Sequence, residues 1–350
     1  MRGCVRQPIS PAPWSPPLRS FVLFSALLAL GVAPVAEAAP KAVPKETQPA
    51  DKLDHVLLWG RDIDQVTAIM TVKLGFQVRP GRNPGGVANR YIRIEDGGFI
   101  ELLGITRPNP DMDPGMQADQ TSLKGGAGAR AFGFHSRALD LVHTQLHDKG
   151  FAVTPLFTAS PNDPDGSGPK APPRWRLFAF EKAPLSSSTF FIDYAVDKTG
   201  PADPVDDRTA RQHPNGTRTL SEFWLLSANA TADRKSLEDM GLGGAVAVRL
   251  PQIAARGFCV PIGPTGLLVL EPDGSGIAAD ALSHGGPQVL GISMGVADLD
   301  QTQKRVERGY EQKLKRYKGI ARDAILAPTG DDLGMLIEFH AISKTAKPCG

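Results

Sequence analysis

After residue 52, the apolar and polar positions of the chain follow one recurring order: a strand pattern, a helix pattern and three further strand patterns. Residues 53–59 form an apolar run typical of a strand, and apolar side chains then recur at helical spacing between residues 66 and 74. Asp62 is predicted to cap the start of this helix and Gly75 its end. Glycine and proline separate three further predicted strands, at residues 76–79, 89–94 and 99–105.

The same order recurs three more times, which predicts four modules of one strand, one helix and three strands. The later modules begin near residues 130, 220 and 288, with predicted helices at 138–149, 232–240 and 299–308. Their remaining strands are predicted at 152–157, 174–180 and 189–195 in the second module, up to residue 270 in the third, and at 335–339 in the fourth. Internal repetition of this kind indicates one supersecondary unit used repeatedly.

Equivalent positions in the modules support this alignment. His55 and Glu101 are 46 residues apart, and Gly291 and Glu338 are 47 apart. The second module is longer because a stretch rich in Pro, Gly and Asp at residues 160–173 is inserted between its strands.

The repeats divide the chain into predicted segments. These are a signal peptide (1–38), a disordered tether (39–51), a first domain of two modules (52–197), a linker (198–217), a second, divergent domain of two modules (218–342) and a C-terminal tail (343–350). The tether is rich in Pro, Lys and Ala without apolar periodicity, and the linker is polar with three prolines.

The first 38 residues have the pattern of a secretory signal peptide. Arginines at positions 2, 6 and 19 precede an apolar run at residues 21–32, and Ala36-Glu37-Ala38 follows. The run has about half of the roughly 20 residues that span a bilayer, so an uncleaved anchor is the weaker alternative. Cleavage is predicted after Ala38. The mature chain is then expected to be periplasmic or secreted, with no membrane segment.

The amino-acid composition and net charge indicate which classes of binding partner to expect. The 350 residues carry a formal net charge of +2, and the basic residues are scattered rather than gathered in one stripe, so no nucleic-acid partner is expected. The 37 glycines and 31 prolines favour strands with many turns over a helical bundle. A small-molecule ligand is the expected partner, and the oligomeric state is not indicated.

Two segments of the first module resemble a known family. Leu53-Asp54-His55-Val56 followed by Asp62, and Phe99-Ile100-Glu101-Leu102-Leu103, are similar to the opening βαβββ module of glyoxalase-like proteins, and His213-Pro214-Asn215-Gly216 also resembles a segment of such sequences. The resemblance covers residues 52–342. It implies the α+β fold of the vicinal oxygen chelate (glyoxalase, bleomycin resistance, extradiol dioxygenase) superfamily, in which paired modules form cupped mixed sheets.

The resemblance also implies a divalent metal held by residues of first and fourth strands, typically His and Glu. In this sequence those positions are His55, Glu101 and Asp193, with Ala131 where a second His is expected. Imidazole and carboxylate ligands suit Zn, Fe, Mn or Ni. The second pair of modules has Glu222 and Glu338 as weaker candidates, since Val269 and Gly291 hold its other two positions.

Two hypotheses about function follow from the resemblance. In one, a metal polarises a small oxygen-rich substrate for lyase, isomerase or dioxygenase chemistry, with no identifiable general base. Glyoxalase activity itself is not expected, because an exported site lacks the cytosolic glutathione pool. In the other, these polar residues are retained from the family without binding a metal, and the protein binds or sequesters a small ligand without catalysis. The alanine at position 131, where a second His is expected, favours this second hypothesis.

The remaining chemistry-bearing residues have simpler interpretations. Cys259 and Cys349 are left after signal cleavage, and either a disulfide or two free thiols fits the sequence. His143 and His147 are expected to face solvent from an amphipathic helix, and His135 and His340 to lie at strand edges. His213 is interpreted as a turn residue rather than a catalytic base, His284 as a residue of a Gly-rich loop, and residues 303–318 as a solvated amphipathic helix.

Overall fold

A computed structural model describes residues 48–81, 84–158, 175–194, 204–320, 322–342 and 348–349. The predicted signal peptide, most of the tether and most of the tail lie outside the described residues. Residues 48–51, predicted as the end of the tether, are packed: Ala50 is buried, and the backbone N–H of Asp51 donates to the carbonyl of His135.

Strands account for most of the described chain. They are β1 (Lys52–Trp59), β2 (Arg79–Pro80), β3 (Val87–Arg93), β4 (Phe99–Ile105), β5 (Gly128–His135), β6 (Phe157–Thr158), β7 (Trp175–Ala179), β8 (Ser188–Tyr194), β9 (Thr217–Leu226), β10 (Val246–Leu250), β11 (Ala255–Ile262), β12 (Thr265–Pro272), β13 (Gln288–Val296), β14 (Arg316–Lys318), β15 (Asp323–Ala327) and β16 (Leu336–Ala341).

The helices lie between these strands. They are α1 (Ile63–Ala68), α2 (Pro114–Leu123), α3 (Leu139–Asp148), α4 (Pro204–Ala210), α5 (Ala230–Met240), α6 (Ile277–Gly285), α7 (Leu299–Tyr310) and α8 (Gly330–Leu333). A π-helical turn, Ile69–Lys73, continues α1. The predicted cap of α1 is present, because the Asp62 carboxylate accepts the backbone N–H groups of Asp64 and Gln65. Asn229 and Asp298 cap α5 and α7 in the same way.

Pairing of the strands reproduces the four predicted modules. In each one the first strand pairs in parallel with the fourth, as β1 with β4, β5 with β8, β9 with β12, and β13 with β16. The first module pairs antiparallel with the second through β1 and β5, and the third with the fourth through β9 and β13. The predicted α+β fold of repeated βαβββ modules with mixed sheets is therefore confirmed.

The two halves of the sheet, modules one and two and modules three and four, meet where Ala129 of β5 pairs with Val289 of β13. One hydrophobic core extends through both halves and includes residues of α1, α3, α5 and α7. These four helices therefore cover the same face of the sheet. The domain boundaries at residues 197 and 218 stay a prediction from the repeats.

The opposite face of each half carries a smaller apolar cluster. Trp59 and Leu103 pack there with Leu123 of α2 in the first half. Trp224 and Leu336 pack with Ala278 of α6 in the second half. Because side chains alternate along a strand, His55 and Glu101 belong to the same face as Trp59 and Leu103, and Glu222 and Glu338 to that of Trp224 and Leu336.

Three predicted elements differ from the structure. The strand predicted at residues 76–79 is reduced to Arg79–Pro80, and the one at 152–157 to Phe157–Thr158 with an isolated bridge at Val153. The predicted helix at residues 303–318 ends at Tyr310, and residues 316–318 form β14. Glu311 closes that helix in a left-handed conformation, so the polar positions after it belong to a hairpin.

The stretch predicted as a linker packs against the first module. His213 is buried, its Nδ1 accepts the N–H of Gln77 at 3.0 Å, and its Nε2 donates to the carbonyl of Arg93 at 2.9 Å. Burial lowers the pKa of His213 to about 4, so it is neutral and can serve both partners. Asn215 also bonds to this module, through the carbonyl of Leu74. The interpretation of His213 as a structural turn residue agrees with these contacts.

Cys259 of β11 and Cys349 form a disulfide, which holds the end of the chain against the apolar cluster of the second half. Of the two alternatives left open by the sequence, the structure has the bridge. Its closed loop spans a sequence separation of 90 residues.

Candidate functional site

A bulge in β1 presents Asp54 and His55 together. The pairing of β1 with β5 shifts register between Leu53 and Val56, so one extra residue is accommodated in β1 at this point. Both side chains are buried, and Oδ2 of Asp54 lies 2.6 Å from Nδ1 of His55. The hydroxyl of Tyr194, on β8, donates to the same carboxylate oxygen at 2.6 Å.

Glu101 of β4 lies on the other side of the His55 ring. Its Oε2 is 3.7 Å from Nε2 of His55, and its Oε1 accepts a hydrogen bond from the Asn89 amide at 3.0 Å. The Asn89 amide is also 2.6 Å from the hydroxyl of Tyr91. We call Asp54, His55, Asn89, Tyr91, Glu101 and Tyr194 the His55 cluster. The structure thus brings together two of the three metal candidates of the first domain, His55 and Glu101.

Within the His55 cluster, Asp54 is ionised while Tyr194 is neutral. Burial acts to raise the pKa of Asp54, but hydrogen bonds from His55 and Tyr194 hold it below its usual range. Burial and the neighbouring Asp54 charge raise the pKa of Tyr194 far above its usual range. Asp54 is therefore ionised and accepts from a neutral phenol. Because an ionised carboxylate only accepts, Nδ1 of His55 carries a proton, and Nε2 lies on the side of the ring that faces the Glu101 carboxylate.

Aromatic rings enclose the His55 imidazole. The ring of Phe99 stacks on it at a centroid distance of 4.1 Å, and that of Phe190 is tilted against it at 5.1 Å. The imidazole is thus held by two rings and one carboxylate, while the Glu101 side chain retains 16% of its accessible surface. Solvent therefore reaches the Glu101 side chain more than that of His55, which is 6% exposed.

The third predicted ligand, Asp193, is on the other face of the sheet. Arg176 binds it at 3.5 Å and also binds Asp140 in the first turn of α3 at 3.0 Å. Its neighbour Tyr194 reaches Asp54, and successive strand residues point to opposite faces. Asp193 is therefore one residue away from Tyr194, the β8 side chain that binds Asp54 in the His55 cluster.

The donor set at His55 does not fit the metal implied by the resemblance. A catalytic metal site of this kind needs three protein ligands, and here only His55 and Glu101 face each other. Tyr194 cannot replace Asp193, because its hydroxyl is committed as a donor to Asp54. Among the described residues, no group of three or more His, Cys, Asp or Glu side chains is arranged to hold a metal ion.

The weaker candidates, Glu222 and Glu338, are brought together in the second half. Ser293 of β13 pairs in register with Glu222 of β9 on one side and with Glu338 of β16 on the other. The Ser293 hydroxyl donates to Glu338 at 3.0 Å, and so does that of Tyr317 at 2.5 Å. Both glutamates are buried. They border a cavity of about 10 Å³, which is room for one water molecule.

His340 and Arg322 complete this group. Nε2 of His340 is 3.8 Å from Glu222, and a guanidinium nitrogen of Arg322 is 3.5 Å from Glu222 and 3.1 Å from Nε2 of His340. We call Glu222, Ser293, Tyr317, Arg322, Glu338 and His340 the Glu222 cluster. His340 is only 4% exposed, so its prediction as a strand-edge residue is wrong.

Burial dominates the electrostatics of the Glu222 cluster. It raises the pKa of Glu222 to about 7, with Arg322 opposing this shift and Glu338 adding to it. Burial also raises the pKa of Glu338, and it lowers that of His340 to about 4. Near neutral pH the cluster therefore holds one cation, a neutral imidazole and two carboxyl groups, of which Glu222 is partly protonated.

Sequence reasoning missed several of these residues, although one signal was present. His340 follows Glu338 by two residues on the same strand, so the alternation already places both on one face. Asp54 and Tyr194 carried no such signal, because the bulge in β1 breaks the alternation. Two further histidines lie outside both clusters. Nε2 of His143 lies 3.0 Å from the carbonyl of Thr154, and His284 is in the last turn of α6, so its prediction as a loop residue is wrong. His143 is partly buried, so its prediction as a solvent-facing residue is wrong, whereas His147 is exposed as predicted.

No helix within the described ranges is both long and apolar enough to cross a membrane. A search of proteins with established functions finds no significant match.

Several solved structures share the fold of this chain at low sequence identity. A substituted variant of 4-hydroxymandelate synthase from Streptomyces coelicolor aligns with a TM-score of 0.56 at 12% identity, over 84% of this chain and 94% of that one. A catechol 2,3-dioxygenase aligns with a TM-score of 0.54 at 16% identity, over 86% and 95% of the two chains. A 2,2',3-trihydroxybiphenyl 1,2-dioxygenase from Sphingomonas wittichii strain RW1 aligns with a TM-score of 0.51 at 15% identity, over 84% and 91%.

A family model described as a glyoxalase-like domain matches residues 53–241, more than half of the 350 residues. The match covers the first two modules with the His55 cluster and continues through the first strand and helix of the third. This chain therefore belongs to the glyoxalase-like domain family of the vicinal oxygen chelate superfamily.

Proposed function

We propose that the protein is an exported enzyme that moves a proton on a small oxygen-bearing molecule, with His55 as the base. The observation that carries the proposal is the imidazole held between Asp54 and Glu101, with Nδ1 bound to the Asp54 carboxylate at 2.6 Å and Nε2 3.7 Å from Oε2 of Glu101. A carboxylate behind a histidine fixes its tautomer and stabilises the imidazolium that forms when Nε2 takes a proton. The reaction class is isomerase or lyase.

Four residues of the cluster have a role in this proposal. Nε2 of His55 removes a proton from the carbon beside a substrate carbonyl, and ionised Asp54 stabilises the resulting charge. The Glu101 carboxylate, fixed by Asn89, accepts a hydrogen bond from a substrate hydroxyl. Return of the proton to a neighbouring atom gives an isomer, so no further reactant is needed. Because two ligands do not make a resident metal site, no step is assigned to a metal.

We expect the protein to exchange the hydrogen beside the carbonyl of hydroxyacetone with solvent deuterium, measured by proton NMR in D₂O. His55→Gln should lower the exchange rate by about 10²-fold or more, because general-base catalysis contributes that much. His147→Gln is the matched control, since its side chain is 72% exposed on α3. Equal exchange rates in the wild type and His55→Gln would contradict the proposal.

The alternative function, ligand binding without catalysis, is favoured by the missing third metal ligand and by the aromatic rings around His55. The same samples separate it from the first. A binding protein would broaden the hydroxyacetone signals without exchanging their hydrogen for deuterium. In that case the broadening should disappear in the His55→Gln and Glu101→Gln variants.

Export is part of the proposal and is supported by the disulfide, which persists in oxidising compartments. When the full chain is expressed in a Gram-negative host, we expect it in the periplasmic fraction with Ala39 as its N-terminal residue by Edman sequencing. An N-terminus at Met1 in the cytosolic fraction would contradict export.

A further inference from the structure

We propose that the apolar surface under α2 is a second part of the ligand site in the first half, and that it takes an apolar group of the ligand when α2 moves off the sheet. α2 lies between modules one and two and covers one end of the face that carries His55 and Glu101. The inference rests on the proposed function only in placing the oxygen atoms of the ligand at these two residues.

The surface under α2 adjoins Glu101. Side chains of three neighbouring strands form it, and we call them the apolar floor: Leu57, Trp59, Val87 and Leu103. Leu57 pairs in register with Glu101, and Leu103 follows Glu101 by two residues on the same face of β4. A ligand with oxygen atoms at Glu101 therefore has apolar surface directly beside them once α2 has moved.

Few interactions hold α2 to the apolar floor. Met116 and Leu123 of α2 supply apolar contacts, and the side chain of methionine is flexible enough to repack. Among the residues that the structure describes, one hydrogen bond joins α2 to the sheet, from Nε1 of Trp59 to the carboxylate of Asp119 at 3.4 Å. This distance is long for a hydrogen bond, so the bond contributes little to holding the helix in place.

The chain after α2 has the composition of a hinge. Lys124 ends the helix in a left-handed conformation, and Gly125 follows it with a φ of 75°. A Cβ atom at Gly125 would meet no other atom within 4 Å, so no packing holds this residue in position. Because glycine changes backbone conformation at little cost, residues 124–128 allow α2 to swing away while β5 stays in the sheet.

The buried carboxyl group of Asp119 makes the docking of α2 depend on pH. Burial raises the pKa of Asp119 from 3.8 to about 6, and the charge of Asp113 adds to the rise, while Trp59 and the charge of Arg130 on β5 oppose it. Between these two pH values the docked helix therefore holds a proton that the undocked helix releases. Docking should be about 10²-fold weaker at pH 7 than at pH 4.

Hydrogen–deuterium exchange of the α2 amides in the ligand-free protein, followed by mass spectrometry, tests this motion. An isolated helix of 10 residues is unstable in water, so these amides exchange when α2 undocks. Asp119→Asn cannot ionise and keeps an acceptor for Trp59, so its α2 amides should exchange about 10²-fold more slowly than those of the wild type at pH 7 and at a similar rate at pH 4. The matched control is Asp111→Asn, because Asp111 is 86% exposed and should not affect α2.

Ligand binding tests the apolar floor, with 2-hydroxyacetophenone as the probe, which has a phenyl ring in place of the methyl group of hydroxyacetone. By isothermal titration calorimetry at pH 7, the wild type should bind this probe at least about tenfold more tightly than hydroxyacetone, because the ring is buried against the floor. Asp119→Asn should weaken binding of the probe by up to about 10²-fold and leave hydroxyacetone unaffected, since only the probe requires α2 to undock.

Three results would overturn the proposal: equal affinities of the wild type for the two ligands, an equal loss of both in Asp119→Asn, or α2 exchange at pH 7 that Asp119→Asn does not slow. These measurements follow binding and motion rather than catalysis. A wild type that prefers 2-hydroxyacetophenone but exchanges no deuterium into either ligand would support the apolar floor and contradict the proposed proton transfer.

Discussion

Replacing Cys349 with serine is expected to lower the free energy of unfolding by about 4 kcal/mol. The bridge to Cys259 closes a loop with a sequence separation of 90 residues, and opening it restores the conformational freedom of that loop to the unfolded chain. Both sulfur atoms are also buried in the apolar cluster of the second half. Urea unfolding of the purified protein, monitored by tryptophan fluorescence, measures the difference.

The double variant Cys259→Ser/Cys349→Ser is the matched control, because it removes the bridge without leaving a free thiol. It should be destabilised as much as the single variant. Reduced wild-type protein should also match both. The His55 cluster lies in the other half of the sheet, so deuterium exchange on hydroxyacetone should be unchanged in the folded variants. A free energy of unfolding within about 1 kcal/mol of the wild type would show that the bridge does not constrain the chain.

Glu222→Gln is expected to stabilise the protein increasingly as the pH rises. Burial raises the pKa of Glu222 from 4.5 to about 7, so between these values the folded protein binds a proton that the unfolded chain releases. In the wild type this group therefore lowers stability as the pH increases through that window. Gln cannot ionise, so the stability difference should grow from less than about 1 kcal/mol at pH 5 to about 3 kcal/mol at pH 8.

Urea unfolding of both proteins at half-unit steps from pH 5 to pH 8 tests this expectation. His340 and His213 have lowered pKa values and act in the opposite direction on acidification, which is why the prediction is stated as a difference between variants. Glu238→Gln is the control, because Glu238 is exposed on α5 and should give a difference independent of pH. A flat difference for Glu222→Gln would mean that Glu222 stays ionised in the folded protein.

The two clusters occupy equivalent faces of the two halves but differ in chemistry. In the His55 cluster, Nε2 of the histidine lies 3.7 Å from the partly exposed carboxylate of Glu101. In the Glu222 cluster, by contrast, the largely buried side chain of Arg322 lies beside Glu222 and His340, and only a water-sized space remains. The first cluster is therefore the site proposed to act on a small molecule, and the second supports the fold through compensated buried charge.

Much of the fold could be predicted because it depends on local patterns. The strand candidate at residues 99–105, separated from its neighbours by glycine and proline, predicted β4 to the residue, and Asp62 was predicted as the cap that its two backbone hydrogen bonds show. The repeated order of elements predicted four modules, and the family resemblance implied that their first and fourth strands hold the site residues. These features depend on residue spacing and side-chain chemistry, which the sequence displays directly.

Residue spacing alone does not show which side chains meet in the two clusters. His55 and Glu101 were predicted together because each occupies a repeat position, and the structure places them 3.7 Å apart. Asp193 was predicted to join them, but the structure places it on the other face of the sheet. The choice between Asp193 and Tyr194 depends on which face of β8 meets the bulge in β1, and a shift of one residue reverses the face.

By itself, the sequence determined the βαβββ repeats, the family and one half of each polar cluster, because periodicity and capping are local properties of the chain. Only the tertiary structure decided that Asp54 and Tyr194 lock His55, that Arg322 lies among Glu222, Glu338 and His340, and that Cys259 joins Cys349. Those contacts join residues far apart in the chain, and strand register, bulges and burial determine which side chains meet.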